Sequence, residues 1–180
     1  MRRVLVIVVT HNGMHWLERC LSSVAGDADF YVWDNDSTDG SADFVQQHFP
    51  AAKLIRSAEN VGFSIPNNKG MQYALDKGYD YVYLLNQDAW LEAGALEKLV
   101  TAAEAHPEYG LLSPLQMTDG YKQLDRQFAK YYHGSAADSQ SKIAFASLRP
   151  LPSTSSTGPS LLRCRGWQRI WECVSPSEPE

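Results

Sequence analysis

Four short clusters place side chains able to do chemistry just after apolar runs: Thr10-His11-Asn12, Asp34-Asn35, Glu59-Asn60-Val61-Gly62 and Asn86-Gln87-Asp88. Hydroxyl, amide and carboxylate groups of this kind bind a polar ligand, and a carboxylate is also a ligand for a hard divalent cation. Each cluster follows an apolar run: Val4–Val9, Phe30–Trp33, Leu54–Ile55 and Val82–Leu85. In an open parallel sheet the carboxyl ends of all strands emerge on one edge, and ligands bind in the crevice beyond them. Clusters far apart in the chain would then converge on one site.

The elements that must position them alternate over the first two thirds of the chain. Strand Val4–Thr10 leads to a helix over Met14–Ala25, with Leu17, Cys20, Leu21 and Val24 at helical spacing and Gly26 as its stop. Phe30–Asp34 reads as the second strand, followed by a turn rich in residues that bond their own backbone and a short helix carrying Phe44 and Val45. Lys53–Arg56 is the third strand. A helix over Ile65–Lys77 follows, with Ser64 as N-cap, Pro66 in its first turn and Gly78 as its stop. Tyr81–Leu85 is the fourth strand, Gly94–His106 a helix and Gly110–Leu115 a fifth strand. Continuous apolar strands in this order predict a mostly parallel sheet covered by helices on both faces.

Composition bounds the function. A chain of 180 residues that is 44% hydrophobic has enough apolar surface for a core, and its net charge of −5 offers no electrostatic footprint for nucleic acid. Cys20, Cys164 and Cys173 are odd in number and lack metal-binding spacing, and Cys20 falls on an apolar helix face as a buried thiol. Met1-Arg2-Arg3 before Val4–Val9 resembles a signal peptide, but the apolar run is too short and has no cleavage site. No run approaches the ~20 apolar residues of a membrane span. A cytoplasmic protein is expected, with room for peripheral attachment at the inner face of a membrane.

A sheet of this kind could take a dinucleotide, a triphosphate or a sugar nucleotide. The chain has no Gly-x-Gly turn and no Gly-Lys pair, so neither of the usual backbone cradles for phosphate is present. A strand-end carboxylate holding Mg²⁺ or Mn²⁺ against a diphosphate is the remaining means. Asp34 and Asp39 are equally suited to bonding turn amides, Asn60 to a left-handed turn before Gly62, and Asp88 to leading into a helix.

The clusters, taken with Asp34-Asn35-Asp36-Ser37-Thr38-Asp39-Gly40, Asn60-Val61-Gly62-Phe63 and Asn67-Asn68-Lys69-Gly70, resemble the family 2 inverting glycosyltransferases of GT-A fold, particularly the rhamnosyltransferase-like branch. The resemblance spans Arg3 to Leu115. It implies that Thr10 and Asn12 border a nucleoside, that Asp34 accepts a hydrogen bond from the base, and that Asn35 belongs to the same pocket. It also implies that Asn60, Gly62, Phe63, Asn67 and Asn68 shape the ribose and diphosphate side, and that Asp88 binds the metal. The implied reaction moves a sugar, rhamnose in this branch, from a dTDP- or UDP-sugar to a glycan or lipid-linked acceptor in cell-surface polysaccharide synthesis. Two positions depart from the family pattern: Asn86 stands where many relatives carry an Asp, and His11 where a Tyr is frequent.

The sequence shows no general base. Beyond Asp138 the acids are Glu172, Glu178 and Glu180, and Asp119, Asp125 and Asp138 are weak substitutes. Five of the nine prolines lie between Pro150 and Pro179, beside the run Ser153–Thr157. We therefore expect a donor-binding domain over residues 1–135 and an irregular segment over 136–180, ending in a short helix within Leu161–Val174 that bears Trp167 and Trp171. A frameshift after about Ala146, with an incomplete acceptor half, is one reading of that segment. The alternative function is a donor-binding remnant with little or no catalysis.

Overall fold

The computed structural model describes residues 2–118, 123, 124, 126, 143–146 and 160–164, with only the backbone described at 143–146 and 160. The elements are β1 (Val4–Thr10), α1 (Met14–Ser22), β2 (Asp29–Asn35), α2 (Ser41–His48), β3 (Lys53–Ser57), α3 (Ser64–Asp76), β4 (Tyr81–Asn86), α4 (Ala95–Ala105), β5 (Leu111–Pro114), β6 (Ile143–Ala146) and β7 (Ser160–Arg163). They build one seven-stranded sheet in the order β3-β2-β1-β4-β7-β5-β6. β1, β2, β3 and β4 run parallel, and β7 is antiparallel to both β4 and β5.

The apolar strands are continuous because both sheet faces are buried. Val4, Val6 and Val8 of β1 pack with Leu17 and Leu21 of α1, Val45 of α2 and Leu99 of α4 on one face. Leu5 and Ile7 meet Tyr31, Met71, Ala74 and Leu84 on the other, under α3. Helices α1 and α2 thus lie on one face while α3, which carries the chain back past β1 to β4, lies on the opposite one. Same-handed crossovers require this when the direction of travel reverses. The reversal makes the β1/β4 boundary the switch point of the sheet, where a crevice opens beyond the strands.

Several boundaries differ from the sequence reading. Helix α1 ends at Ser22 rather than Ala25, because the Ser23 hydroxyl turns back to the Cys20 carbonyl at 2.7 Å and Gly26 lies in the following loop. Ser64 is the first helical residue rather than the N-cap, a place taken by Phe63 with no side-chain cap. Gly78 does stop α3. At φ +69 it lets its own N–H reach the Leu75 carbonyl and that of Tyr79 reach the Ala74 carbonyl, satisfying two otherwise orphaned acceptors.

The largest difference lies beyond residue 135. The segment expected to be irregular supplies β6 and β7, with strand where a helix was expected to begin at Leu161, and β7 sits between β4 and β5, so residue 135 does not divide the sheet. Strands of four residues are too short to show a period, and Leu161 and Leu162 are both buried, one on each face. Trp167, Trp171, Cys173, Asp119, Asp125 and Asp138 lie outside the described residues.

An ion-pair network closes the sheet edge opposite the polar clusters. Arg2 pairs with Asp80 at 3.2 Å and Glu104 at 2.8 Å, Arg163 reaches Glu104 at 3.7 Å, and the Tyr81 hydroxyl donates to Glu104. The Tyr81 hydrogen bond and then Arg2 hold the Glu104 carboxyl below the usual range. A carboxyl lowered on folding contributes stability that is present above its unfolded pKa and lost as pH falls through its folded one. Glu104→Gln should therefore shrink the difference in urea stability between pH 7 and pH 3. An unchanged difference would show that the network adds nothing.

Candidate functional site

At the switch point the β1/β4 ladder ends at the pair Val9 and Asn86. Beyond it the Gln87 side chain takes over: its Oε1 accepts from the Thr10 hydroxyl at 2.8 Å and the His11 N–H at 3.0 Å. Thr10 is fully buried. Asn12, at φ +48, uses its Oδ1 to accept the Thr38 N–H at 2.9 Å, while its own N–H donates to the Ser37 hydroxyl at 3.0 Å. The Thr10 hydroxyl and the Asn12 Oδ1 and N–H thus join the end of β1 to the residues that follow β2 and β4.

Strand alternation separates the adjacent residues Asp34 and Asn35. Asp34 shares the α1/α2 face with Phe30 and Val32, whereas Asn35 shares the α3 face with Tyr31 and Trp33. The Asn35 amide makes three bonds: Oδ1 accepts from the Val61 N–H and the Trp33 indole, both at 3.2 Å, and Nδ2 donates to the Gly62 carbonyl at 2.7 Å. Asn35 therefore holds the 60–62 loop against β2. Asp34 is 3% exposed and accepts the Ser37 N–H on Oδ2 at 3.1 Å. Its other oxygen is buried with no donor within hydrogen-bonding range. A buried carboxylate oxygen left without a donor is costly, and such exceptions call for an explanation.

The remaining candidates line the α3 side. Asn60 accepts the Gly62 N–H at 3.0 Å, a local turn in which Gly62 takes the positive φ and Asn60 does not. Phe63 is exposed at 40% and precedes α3; Asn67 is buried and donates to the Phe63 carbonyl at 2.8 Å, and Asn68 beside it is half-buried. Asp39, by contrast, is a structural cap. It accepts from Met14 N–H at 2.9 Å and from Ser41 N–H at 3.0 Å, fixing the first turns of α1 and α2 together. Slight burial raises its pKa, but the Ser41 hydroxyl and these amides outweigh that and hold the carboxyl below the usual range.

Asp88 lies in the turn Asn86–Ala89, closed by the Ala89 N–H on the Asn86 carbonyl at 3.0 Å. It is exposed, and no described residue donates to its carboxylate. Burial, with a smaller push from Asp88, raises the Cys20 thiol beneath it to about 12, so Cys20 is a packing residue rather than a nucleophile. No cluster of three or more His, Cys, Asp or Glu is found among the described residues. The donor set still fits Mg²⁺ or Mn²⁺, which bind through one or two carboxylates and take other oxygens from phosphate and water. A groove of about 580 Å³ lined by Phe49, Lys53, Leu54 and Arg56 runs along edge strand β3 and includes none of the candidate residues.

The structure thus brings Thr10, Asn12, Asp34, Asn35, Asn60, Gly62, Phe63, Asn67, Asn68 and Asp88 to the carboxyl edge of β1–β4 and its adjoining loops. It also shows two residues that brace this edge through protein contacts and that sequence reasoning passed over, Gln87 and Asp39. The partners of Gln87 are 76 or 77 residues away, so no local signal marks it, whereas Asp39 bonds Ser41 two residues on, as its suitability for turn amides implied, and only its bond to Met14 is long-range.

This is an α/β protein with polar groups gathered at the switch point of a mixed sheet. The chain belongs to glycosyl transferase family 2, whose model matches residues 5–148. It is 30% identical over 122 residues to the N-acetylglucosaminyl-diphospho-decaprenol L-rhamnosyltransferase of Mycobacterium tuberculosis (strain CDC 1551 / Oshkosh), covering 61% of this chain and 40% of that protein. Among solved structures it is similar to Staphylococcus aureus TarS 1-349 in complex with UDP (TM-score 0.68, 16% identity, 97% of this chain and 50% of that one). It is also similar to the Pyrobaculum calidifontis mannosyltransferase PcManGT in complex with GDP-Man and Mn²⁺ (TM-score 0.63, 19% identity, 94% and 47%). These neighbours establish the GT-A fold. The chain spans 40% of the curated relative's length and about half of the solved neighbours'. No described helix is long and apolar enough to cross a membrane.

Proposed function

We propose that the chain binds a nucleoside-diphosphate sugar at the β1/β4 crevice, as the donor half of an inverting glycosyltransferase. The observation that carries this is a pair of carboxylates flanking β1 at one sheet edge: Asp34 at the end of β2, with a buried oxygen that lacks a donor, and the exposed Asp88 beyond β4. Asp34 Oδ1 needs a donor, and the imide N–H of uracil or thymine is one. Asn35, Asn60, Gly62, Phe63, Asn67 and Asn68 wall the ribose and diphosphate, and Thr10 and Asn12 act by bracing the strand ends. Asp88 would hold Mg²⁺ or Mn²⁺, whose charge offsets that developing on the departing diphosphate.

Inversion requires the acceptor hydroxyl to attack the anomeric carbon from the face opposite the diphosphate while a base takes its proton. The described residues supply the donor side of that reaction. The mycobacterial relative's name points to a rhamnosyl donor, hence dTDP or UDP, and to a lipid-linked acceptor. We accordingly propose that the protein acts at the cytoplasmic face of a membrane, in cell-surface polysaccharide synthesis.

Calorimetric titration with UDP, dTDP and GDP tests the reading. Losing one hydrogen bond to a charged group costs about 1.5–3 kcal/mol, so Asp34→Ala should weaken UDP and dTDP by about 10–100-fold. It should narrow their advantage over GDP. Equal losses for all three bases would reduce Asp34 to a turn-bonding residue.

A further inference from the structure

We propose that Gln87 is the positioning residue that fixes the Asp88 turn against β1, and that Gly13 is glycine to leave room for it. The inference rests on the reading of Asp88 as the metal-binding carboxylate. Past Val9 and Asn86 the two backbones part: β4 enters the Asn86–Ala89 turn while β1 swings into Asn12 at φ +48. The Gln87 amide spans the gap. Its Oε1 accepts from the Thr10 hydroxyl and the His11 N–H, and its Nε2 donates to the His11 carbonyl at 3.4 Å. One side-chain amide thus pairs with both polar groups of the His11 backbone, adding a rung to the ladder where the main chain can no longer supply one.

Other anchors hold the base of this turn to α1, not its tip to β1. The Cys20 thiol donates to the Asn86 carbonyl at 3.4 Å, and the Leu91 N–H donates to the Ser23 hydroxyl at 3.1 Å. Asp88 itself has no contact that would orient it. Gln87, the preceding residue, is therefore what sets where the carboxylate stands relative to β1.

Gly13 supplies the space. A Cβ at this position would fall 2.3 Å from Gln87 Oε1 and 2.5 Å from the Thr10 hydroxyl oxygen. Its φ of −100 is open to any residue, so close approach alone, not backbone conformation, demands glycine. Gly13→Ala should expel the Gln87 amide and reproduce the loss of Gln87 from another strand end.

The test is the enhancement of UDP and dTDP affinity by Mn²⁺, measured by calorimetry for wild type, Asp88→Ala, Gln87→Ala, Gly13→Ala and the Gln87→Ala/Gly13→Ala double variant. Loss of this tether should cut the Mn²⁺ enhancement by about tenfold in each single variant, in line with about 1.4 kcal/mol for hydrogen bonds lost at one group. Metal-free nucleotide affinity should stay within about twofold, which a general structural defect would not spare. The double variant should be no worse than Gln87→Ala, because contacting residues that act as one unit do not add. Full enhancement in Gln87→Ala, or additive losses in the double variant, would overturn the proposal. If one single variant fails to fold, the other decides the question alone. If Asp88→Ala keeps the wild-type enhancement, the reading of Asp88 fails first, a distinct result.

Discussion

Asp88→Ala is expected to remove the metal-dependent part of nucleoside-diphosphate affinity while leaving the fold unchanged. The residue projects from a closed turn beyond β4, is exposed, and receives no hydrogen bond from any described residue. A surface side chain without partners contributes within about 0.5 kcal/mol to stability, so the melting curve should not move. The affinity loss is expected to be on the order of tenfold to a hundredfold, the scale of one charge-assisted contact. It should appear only when Mn²⁺ or Mg²⁺ is present. Metal-free titrations of UDP or dTDP should overlay those of the wild type. A variant that retains the full effect of Mn²⁺ would remove Asp88 from the site, and would shift the role to oxygens such as that of Asn86.

Leu161→Ala should destabilise the fold far more than Asp88→Ala, because it empties a position in the core. Leu161 is fully buried, opposite Tyr83 on β4 and Leu112 on β5, and packs in the same cluster as α1 and α4. Deleting such a side chain leaves a cavity and costs about 2–5 kcal/mol. The substitution lies far along the chain from β1–β4, so only a sheet that includes β7 can register it. Urea denaturation measures the effect directly. A loss within about 0.5 kcal/mol, typical of exposed positions, would show that residues 160–163 do not belong to the core. The expected large loss would make the segment beyond residue 135 part of the donor domain rather than an appendage.

The same central place for β7 bears on the expected frameshift after about Ala146. Ser160-Leu161-Leu162-Arg163 completes the sheet, buries an apolar side chain on each face, and sends the Arg163 guanidinium over the Tyr81 ring and toward Glu104. A four-residue strand buried on both faces shows no alternation and leaves only a Leu-Leu pair in the sequence. Its pairing with β4 spans about eighty residues, and no local pattern records that.

By itself the sequence determined what depends on neighbours in the chain. Continuous apolar runs identified β1, β2 and β4, helical spacing identified α1, Gly78 ended α3, and polar residues marked the strand ends. These features follow from local burial and dihedral preferences, which a window of a dozen residues contains. The candidate residues Thr10, Asp34, Asn35 and Asp88 were legible as lying at or just beyond strand ends, because a parallel sheet places all such ends on one edge. Their individual roles were not legible. Asp34 and Asn35 are adjacent in sequence, but only the sheet shows that one turns beneath α1 and α2 with an oxygen unpaired while the other braces the 60–62 loop. Gln87 reads as one more polar residue before Asp88 until β4 lies beside β1 and its amide meets the His11 backbone. Strand order, face and partner are long-range contacts, chosen by the packing of the whole chain, and the tertiary structure alone decided them.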